Sequence, residues 1–215
     1  MQVVTVLHHE QPVVSIRMLV RAGTSSDPKD KLGVAGMMAA LLTQGTESRT
    51  ATQLNEEVDF MGASMGSGAG SDLTYLNMVV MKDGFTTGLQ ILSDMARKPG
   101  FRPEDIERQR QQMLSGLQVR LDDPDFIADA VFDRLVYGFH PYGMPEGGTA
   151  QTLTAITRDD ILALHRRVFA PNNAIIAVVG DVTADEAFSG VQKIFGDWVR
   201  REVDVPAFLP PPDAT

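Results

Sequence analysis

Histidine is the residue with which this chain could build a metal site, and it occurs at only four positions: His8, His9, His140 and His165. A zinc site on one helix needs two histidines separated by three residues, so that both imidazoles project from the same face. No pair of these histidines has that spacing. His8 and His9 are adjacent in an extended segment and are expected to point to opposite sides. Because the chain also has no cysteine, the sequence predicts no metal site of its own.

The overall charge excludes another class of function. The net charge is -9 at pH 7, and proteins that bind nucleic acid neutralise phosphates with clustered lysine and arginine. We therefore expect no nucleic-acid partner. No apolar run approaches the ~18 residues of a membrane span. Since residues 1–6 already have the pattern of a strand, we expect a soluble protein whose signal peptide, if any, has been removed, in either the periplasm or the cytoplasm.

A glycine-rich segment at residues 66–70 invites comparison with phosphate-binding loops. A dinucleotide fingerprint would need a further glycine at position 73, which is Leu73, and a helix should follow. A strand pattern follows instead. The glycines are better explained by a strand that another backbone approaches closely.

The strand pattern predicts the fold class. Residues 3–7 and 13–20 are β-rich runs separated by a short polar segment, which predicts a hairpin. Residues 63–81 alternate around three glycines and predict a second hairpin. Residues 173–180 are strongly apolar and predict a strand in the interior of a sheet. Antiparallel strand pairs with helices grouped between them predict an α+β fold, in which a mixed or antiparallel sheet packs against a layer of helices.

Helix signals lie between and after these strands. Thr50, Thr157 and Thr183 each precede a Gln, Asp or Glu by three residues, the pattern of a capping box at a helix start. An apolar helix begins near Val34. We interpret residues 1–203 as one domain and the proline-rich residues 204–215 as a linker to a second, similar domain.

Three blocks of sequence recur in one known family. The first comprises Arg21-Ala22-Gly23-Thr24, Gly33-Val34-Ala35 and Gly45-Thr46, and the second is Asp105-Ile106-Glu107-Arg108-Gln109-Arg110. The third runs from Tyr137-Gly138-Phe139-His140-Pro141-Tyr142-Gly143 through Phe169-Ala170-Pro171-Asn172-Asn173 to Val179-Gly180-Asp181. In this order and spacing they resemble the pitrilysin/insulinase family of zinc peptidases, which includes the mitochondrial processing peptidases.

The resemblance assigns positions to the family's zinc motif, His-x-x-Glu-His. In that frame the two histidines fall on Gly36 and Ala40, and the catalytic glutamate falls on Ala39. The glutamate that serves as third ligand falls on Gly116, and a supporting glutamate falls on Gln109. The ligand and proton-transfer positions all lack a suitable side chain. The resemblance therefore implies a peptidase fold without peptidase chemistry, with no catalytic or metal-binding residue in this chain.

The resemblance also implies partners. Active members bind peptides along an edge strand that bears an Asn-Ala pair, and these positions fall on Gly66 and Ser67, whose backbones could still form hydrogen bonds. Members form clamshells in which commonly one half alone holds zinc. By resemblance, this chain is the first domain of a noncatalytic half that shapes the chamber, binds peptides and works with a zinc-bearing homologue.

Two other functions remain open from the sequence. One is a structural scaffold, like the core subunits of respiratory complexes that share this fold. The other is a zinc-dependent metalloendopeptidase whose ligands lie outside this chain. Co-fractionation with membranes would favour the scaffold, whereas bound zinc in the isolated chain would favour the peptidase.

Overall fold

The computed structural model describes residues 1–203. These residues form a five-stranded sheet with helices, and the predicted α+β class is confirmed. The sheet has the strand order β1-β5-β2-β4-β3. The proposed linker at residues 204–215 lies outside the described residues.

The strands follow the predicted runs closely. They are β1 (Gln2–Leu7), β2 (Val13–Val20), β3 (Ser64–Ala69), β4 (Thr74–Met81) and β5 (Ala174–Gly180). Strands β3 and β4 form the predicted hairpin, with Ser64 opposite Val79 and Ala69 opposite Thr74. Strand β5 lies between β1 and β2, so its predicted interior position is confirmed.

The predicted hairpin between the first two strands is wrong. Strand β1 pairs in parallel with β5, and β2 pairs with β5 on its other side. The His8 N–H donates to the Gly180 carbonyl and the Asp181 N–H to the Val13 carbonyl, so the connection crosses the end of β5. An apolar strand such as β5 is most stable with a neighbour on each side, and a local pattern of two runs cannot reveal an inserted third strand.

Eight helices with α-helical hydrogen bonding occur in the described residues. They are α1 (Val34–Leu41), α2 (Ala51–Phe60), α3 (Phe85–Arg97), α4 (Pro103–Leu121), α5 (Pro124–Tyr137), α6 (Ala150–Ala155), α7 (Arg158–Val168) and α8 (Ala184–Phe195). Thr50, Thr157 and Thr183 form the predicted capping boxes. In residues 1–203 no helix is both long and apolar enough to cross a bilayer.

The core lies on one face of the sheet. Alternate side chains of β2, β4 and β5 are fully buried there, among them Ile16, Leu76 and Ile176. Helices α1 and α3 contact this part of the sheet, and α8 contacts β1. Helix α1 is therefore an interior helix, which agrees with its almost wholly apolar sequence.

Candidate functional site

Helix α1, to which the resemblance assigns the zinc-motif positions, is anchored at its start by Asp27, a carboxylate that precedes the helix by seven residues. Asp27 accepts hydrogen bonds from the Gly33 N–H at 2.7 Å and the Ala35 N–H at 2.9 Å. Gly33 has a φ of +93°, and a β-carbon there would lie 2.9 Å from the Gly147 carbonyl oxygen. Glycine is therefore required at this position, and Asp27 satisfies N–H groups that a helix start leaves free.

The electrostatics of Asp27 are unusual for an aspartate. Burial raises the pKa of its carboxyl group to about 7, in opposition to the hydrogen bonds from Gly33 and Ala35 and to the charge of Arg167. Sequence reasoning missed this residue, because a capping residue is normally sought immediately before the helix. The only signal was an aspartate upstream of a glycine that opens an apolar helix.

The α1 positions that the resemblance assigns to the motif face the core and helix α4. Ala39 is fully buried, and Gly36 and Ala40 are partly buried. A β-carbon at Gly36 would lie 3.8 Å from the Met113 Cε. On α4, Gln109, Met113 and Gly116 follow one another at steps of four and three residues and so share one face. Gly116 is exposed, and a β-carbon there would meet no atom within 4 Å.

The residues at these positions do not fit zinc. Gly36 and Gly116 have no side chain, and Ala39 and Ala40 offer only methyl groups, whereas zinc needs nitrogen, sulfur or carboxylate ligands. Across the described residues 1–203, no group of three or more His, Cys, Asp or Glu side chains is placed to hold a metal ion. We therefore derive no metal-dependent step from this domain.

The structure brings the predicted peptide-binding strand beside this helix. The Ser67 hydroxyl donates a hydrogen bond of 2.7 Å to the Ala39 carbonyl oxygen. Strand β3 lies at the edge of the sheet, and within residues 1–203 it pairs with β4 alone. Two sets of positions assigned separately from the sequence, those on α1 and those on β3, are thus in direct contact.

The register shows which backbone groups of β3 face its free edge. The Gly70 N–H donates to the Leu73 carbonyl at 2.9 Å, so this pair is hydrogen-bonded. Because such pairs alternate in an antiparallel ladder, Gly66 exchanges hydrogen bonds with Asn77 in β4. The N–H and C=O groups of Ser67 then point away from β4. Of the two predicted positions, Ser67 presents its backbone to an added strand and Gly66 does not.

A cleft of about 920 Å³ lies beyond the turn that joins β3 to β4. Leu117 of α4, helix α5 and residues 141–148 line it, together with Ser71 of the turn. The Tyr142 hydroxyl donates to Asp72 at 2.7 Å, and the Ser71 hydroxyl donates to Glu146 at 3.1 Å. The hydrogen bond to Asp72 is the main cause that raises the pKa of Tyr142. These bonds hold the turn against the segment that follows α5.

The four histidines occupy separate places. The His9 Nδ1 lies 2.6 Å from the Asp181 Oδ1, and the His8 Nε2 lies 3.7 Å from the Glu10 Oε2. His140 packs edge-on against Tyr142. His165 is buried in the last turn of α7.

Introducing zinc ligands tests whether the positions assigned to the zinc motif are correct. We expect the variant Gly36→His/Ala40→His/Gly116→Glu to bind Zn²⁺ at least about tenfold more tightly than Gly36→His/Ala40→His alone, because a third ligand completes the set that zinc requires. The affinity is measured by competition with a chromophoric zinc indicator. As a control, Gln118→Glu replaces Gly116→Glu, since Gln118 is exposed on the other side of α4. Equal affinities for the two carboxylate variants would contradict the position assigned to Gly116.

This chain is similar to curated bacterial proteins described as zinc proteases. The chain is 26% identical over 194 residues to an uncharacterized zinc protease of Rickettsia felis, a match covering 89% of this chain and 47% of that protein. It is 26% identical over 182 residues to one of Mycobacterium leprae, covering 85% and 41%. The chain thus spans about half the length of the curated relatives it matches.

Solved structures have the same fold. A peptidase M16 inactive domain from Pseudomonas fluorescens superposes with a TM-score of 0.90 at 25% identity, over 97% of this chain and 51% of that one. The first half of the periplasmic protease PqqL from Escherichia coli superposes with a TM-score of 0.87 at 16% identity, over 96% of this chain and 46% of that one. The second likeness concerns the fold alone.

Two family models together account for most of the sequence. The model of the insulinase family, peptidase family M16, matches residues 2–138. The model of the peptidase M16 inactive domain matches residues 155–215. The resemblance inferred from the three sequence blocks is therefore confirmed, and the chain belongs to the insulinase family of peptidases, family M16.

Proposed function

We propose that this domain is the noncatalytic part of a family M16 peptidase assembly, in which it binds extended peptides while a homologous partner supplies zinc and the catalytic glutamate. The observation that carries the proposal is the contact between Ser67 and Ala39. On the α1 side of that contact the positions assigned to the motif are glycine or alanine, whereas on the β3 side a free strand edge remains. The domain itself then needs no cofactor.

The free edge supports a specific mode of binding. An extended peptide can add to β3 as a further strand, with main-chain hydrogen bonds to Ser67 and to its alternate neighbours Met65 and Ala69. The Ser67 hydroxyl donates to the Ala39 carbonyl oxygen on the α1 side, and so it takes no part in the added ladder.

Purification from native cells tests whether this domain works with a zinc-bearing partner. The tagged protein is purified from its native cells, and the proteins recovered with it are identified by mass spectrometry. We expect stoichiometric recovery of a homologue that carries His-x-x-Glu-His, and peptidase activity only when both are present. Peptidase activity and bound zinc in this chain alone would refute the noncatalytic role. Recovery of a membrane complex without such a homologue would instead favour a scaffold.

Replacing Ser67 with proline tests the peptide-binding edge. Ser67→Pro removes the outward N–H, and proline is tolerated at an edge strand where that N–H is outside the ladder. We expect binding of labelled, reduced and carboxymethylated α-lactalbumin, which is permanently unfolded, to weaken by about tenfold, since one lost hydrogen bond in a dry interface is worth about 1.5 kcal/mol. Fluorescence anisotropy measures the affinity.

Two controls separate this effect from disruption of the fold. Ser67→Ala loses the hydroxyl but keeps the N–H, and Gly66→Ala places a β-carbon where no atom lies within 4 Å. Both are expected to bind within about threefold of the unmodified protein, less than one hydrogen bond. If Ser67→Ala weakens binding as much as Ser67→Pro, then the strand edge is not the binding element.

A further inference from the structure

A small polar cavity of about 210 Å³ lies between the C-terminal ends of α3 and α8, and we call it the α3–α8 cavity. Four residues of α3 line it at the spacing of one helical face, and the remaining residues come from the ends of both helices. Among the described residues, the wall consists of Gln90, Ser93, Asp94, Arg97, Lys98, Lys193, Ile194 and Asp197. Only Ile194 in this set is apolar. A cavity with such a wall favours a polar occupant.

Ser93 is the unusual member of this wall. It is only 2% exposed, and within residues 1–203 its hydroxyl has no hydrogen-bond partner. A serine inside a helix can bond back to a carbonyl of the preceding turn, as Ser189 does to the Asp185 carbonyl at 2.6 Å. Since buried polar groups are almost always hydrogen-bonded, a free hydroxyl on the wall of a polar cavity indicates that an acceptor occupies the cavity.

The two carboxylates of the wall each have a cationic partner already. Asp94 accepts a hydrogen bond of 2.7 Å from the Arg49 Nη1. Asp197 accepts two hydrogen bonds from the Arg97 guanidinium, at 2.8 Å and 3.0 Å. Because these acidic groups are neutralised by arginine, they do not balance the other cations of the cavity.

Two lysines of the wall remain without a partner of opposite charge. No ion pair between residues 1–203 involves Lys98 or Lys193. The hydrogen bonds from Arg97 are the main cause that lowers the pKa of Asp197, and the charge of Lys98 contributes, so the Lys98 ammonium group lies near the cavity. The cavity therefore has an excess of positive charge in a chain whose net charge is -9.

The donors that remain fit a tetrahedral oxyanion. A lysine ammonium group is a compact charge with three donors and is a common ligand of phosphate. The fork of Arg97, which would favour a planar carboxylate, is occupied by Asp197. Three separate donors, one each from Ser93, Lys98 and Lys193, match the three acceptor oxygens of a phosphate group.

We propose that the α3–α8 cavity binds a phosphate group, either free phosphate or the phosphate of a small organic monoester, through Ser93, Lys98 and Lys193. Arg97 already joins the two helices through the Ile194 carbonyl at 3.2 Å, so the walls are in place before an anion binds. The proposal goes beyond the proposed function, since no residue of this wall belongs to α1 or β3. Its failure would leave peptide binding at β3 intact.

Titration of residues 1–215 with sodium phosphate, at neutral pH and constant ionic strength, tests this site by ¹H–¹⁵N NMR. We expect saturable shifts of the backbone amides of residues 90–98 and 193–197, with a dissociation constant of about 1 mM. Glycerol 1-phosphate is the second probe. Tighter binding than that of inorganic phosphate assigns the site to an organic monoester, and weaker binding assigns it to free phosphate. Shifts that do not saturate by about 50 mM, or that are equally large at basic residues elsewhere, would overturn the proposal.

Single substitutions assign the binding to the cavity. Ser93→Ala, Lys98→Gln and Lys193→Gln are each expected to weaken phosphate binding by about tenfold, the loss of one hydrogen bond to a charged group. Lys29→Gln is the control, since it removes the same charge at an exposed lysine elsewhere. Without phosphate, Ser93→Ala should unfold at the same urea concentration as the unmodified protein, because its hydroxyl has no partner to lose. Unchanged affinity in the three cavity variants, or an equal loss in Lys29→Gln, would refute the site.

Discussion

Asp27→Asn is expected to remove a loss of stability that the unmodified protein suffers as the pH rises to neutrality. Burial raises the folded-state pKa of Asp27 to about 7, from its ordinary value of 3.8. A group whose pKa is raised on folding contributes stability that is complete below pH 3.8 and is lost as the pH rises through about 7. The full difference is about 4 kcal/mol. This cost falls on the start of α1, because Asp27 holds Gly33 and Ala35.

Urea unfolding of both proteins between pH 5 and pH 8 measures the effect. We expect the unmodified protein to lose about 3 kcal/mol relative to Asp27→Asn across this range. At pH 5 the variant should be the less stable of the two by about 1 kcal/mol, since the hydroxyl oxygen of the protonated carboxyl group can still accept from a backbone N–H, whereas an amide NH₂ group cannot. Asp30→Asn is the control, because Asp30 is exposed in the same segment. A difference in unfolding free energy between the unmodified protein and Asp27→Asn that stays constant from pH 5 to pH 8 would contradict the prediction.

His165→Leu is expected to destabilise the folded protein at high pH and to stabilise it at low pH. Burial lowers the pKa of His165 to about 4, from 6.5. A group whose pKa is lowered on folding contributes stability that is present above pH 6.5 and is lost as the pH falls through about 4. The total is about 3 kcal/mol. His165 stacks on Phe169 with ring centres 4.4 Å apart, and its Nε2 lies 2.9 Å from the Ala96 carbonyl oxygen.

Plotted against pH, the free energies of unfolding of the unmodified protein and of His165→Leu should therefore cross. At pH 8 the leucine variant is expected to be about 1–2 kcal/mol less stable, because the Ala96 carbonyl loses its partner. At pH 4 the variant should be the more stable protein, since it has no buried imidazole to protonate. Chemical denaturation at both pH values measures this, with His8→Gln as an exposed control. Parallel curves would show that His165 does not titrate as its burial implies.

These two groups oppose each other in mildly acidic solution. Between about pH 4 and pH 6.5, protonation of the unfolded state favours unfolding through His165, whereas Asp27 favours folding as the pH falls. The unmodified protein is thus expected to show a flatter pH dependence than either variant in this interval. Comparison of each variant with the unmodified protein separates the contributions of Asp27 and His165 to the slope of unfolding free energy against pH.

Local patterns predicted most of the elements of this fold. The capping boxes at Thr50, Thr157 and Thr183 and the β3–β4 hairpin depend on residues close in sequence, and these predictions were correct. The first hairpin was wrong because β5, more than 150 residues away in the chain, separates β1 from β2. No pattern within residues 3–20 contains information about a strand that arrives so late.

The sequence by itself determined which chemistry is possible at the positions that the resemblance assigns to the motif. Glycine at 36 and 116 and alanine at 39 and 40 exclude zinc ligation by their side chains in any conformation, because ligand atoms are a property of composition. Only the tertiary structure placed Ser67 against Ala39, turned the Ser67 backbone toward the free edge, and buried Asp27 enough to raise its pKa. Contact, direction and burial depend on chain segments far apart in sequence, and these are brought together only by packing of the sheet and helices.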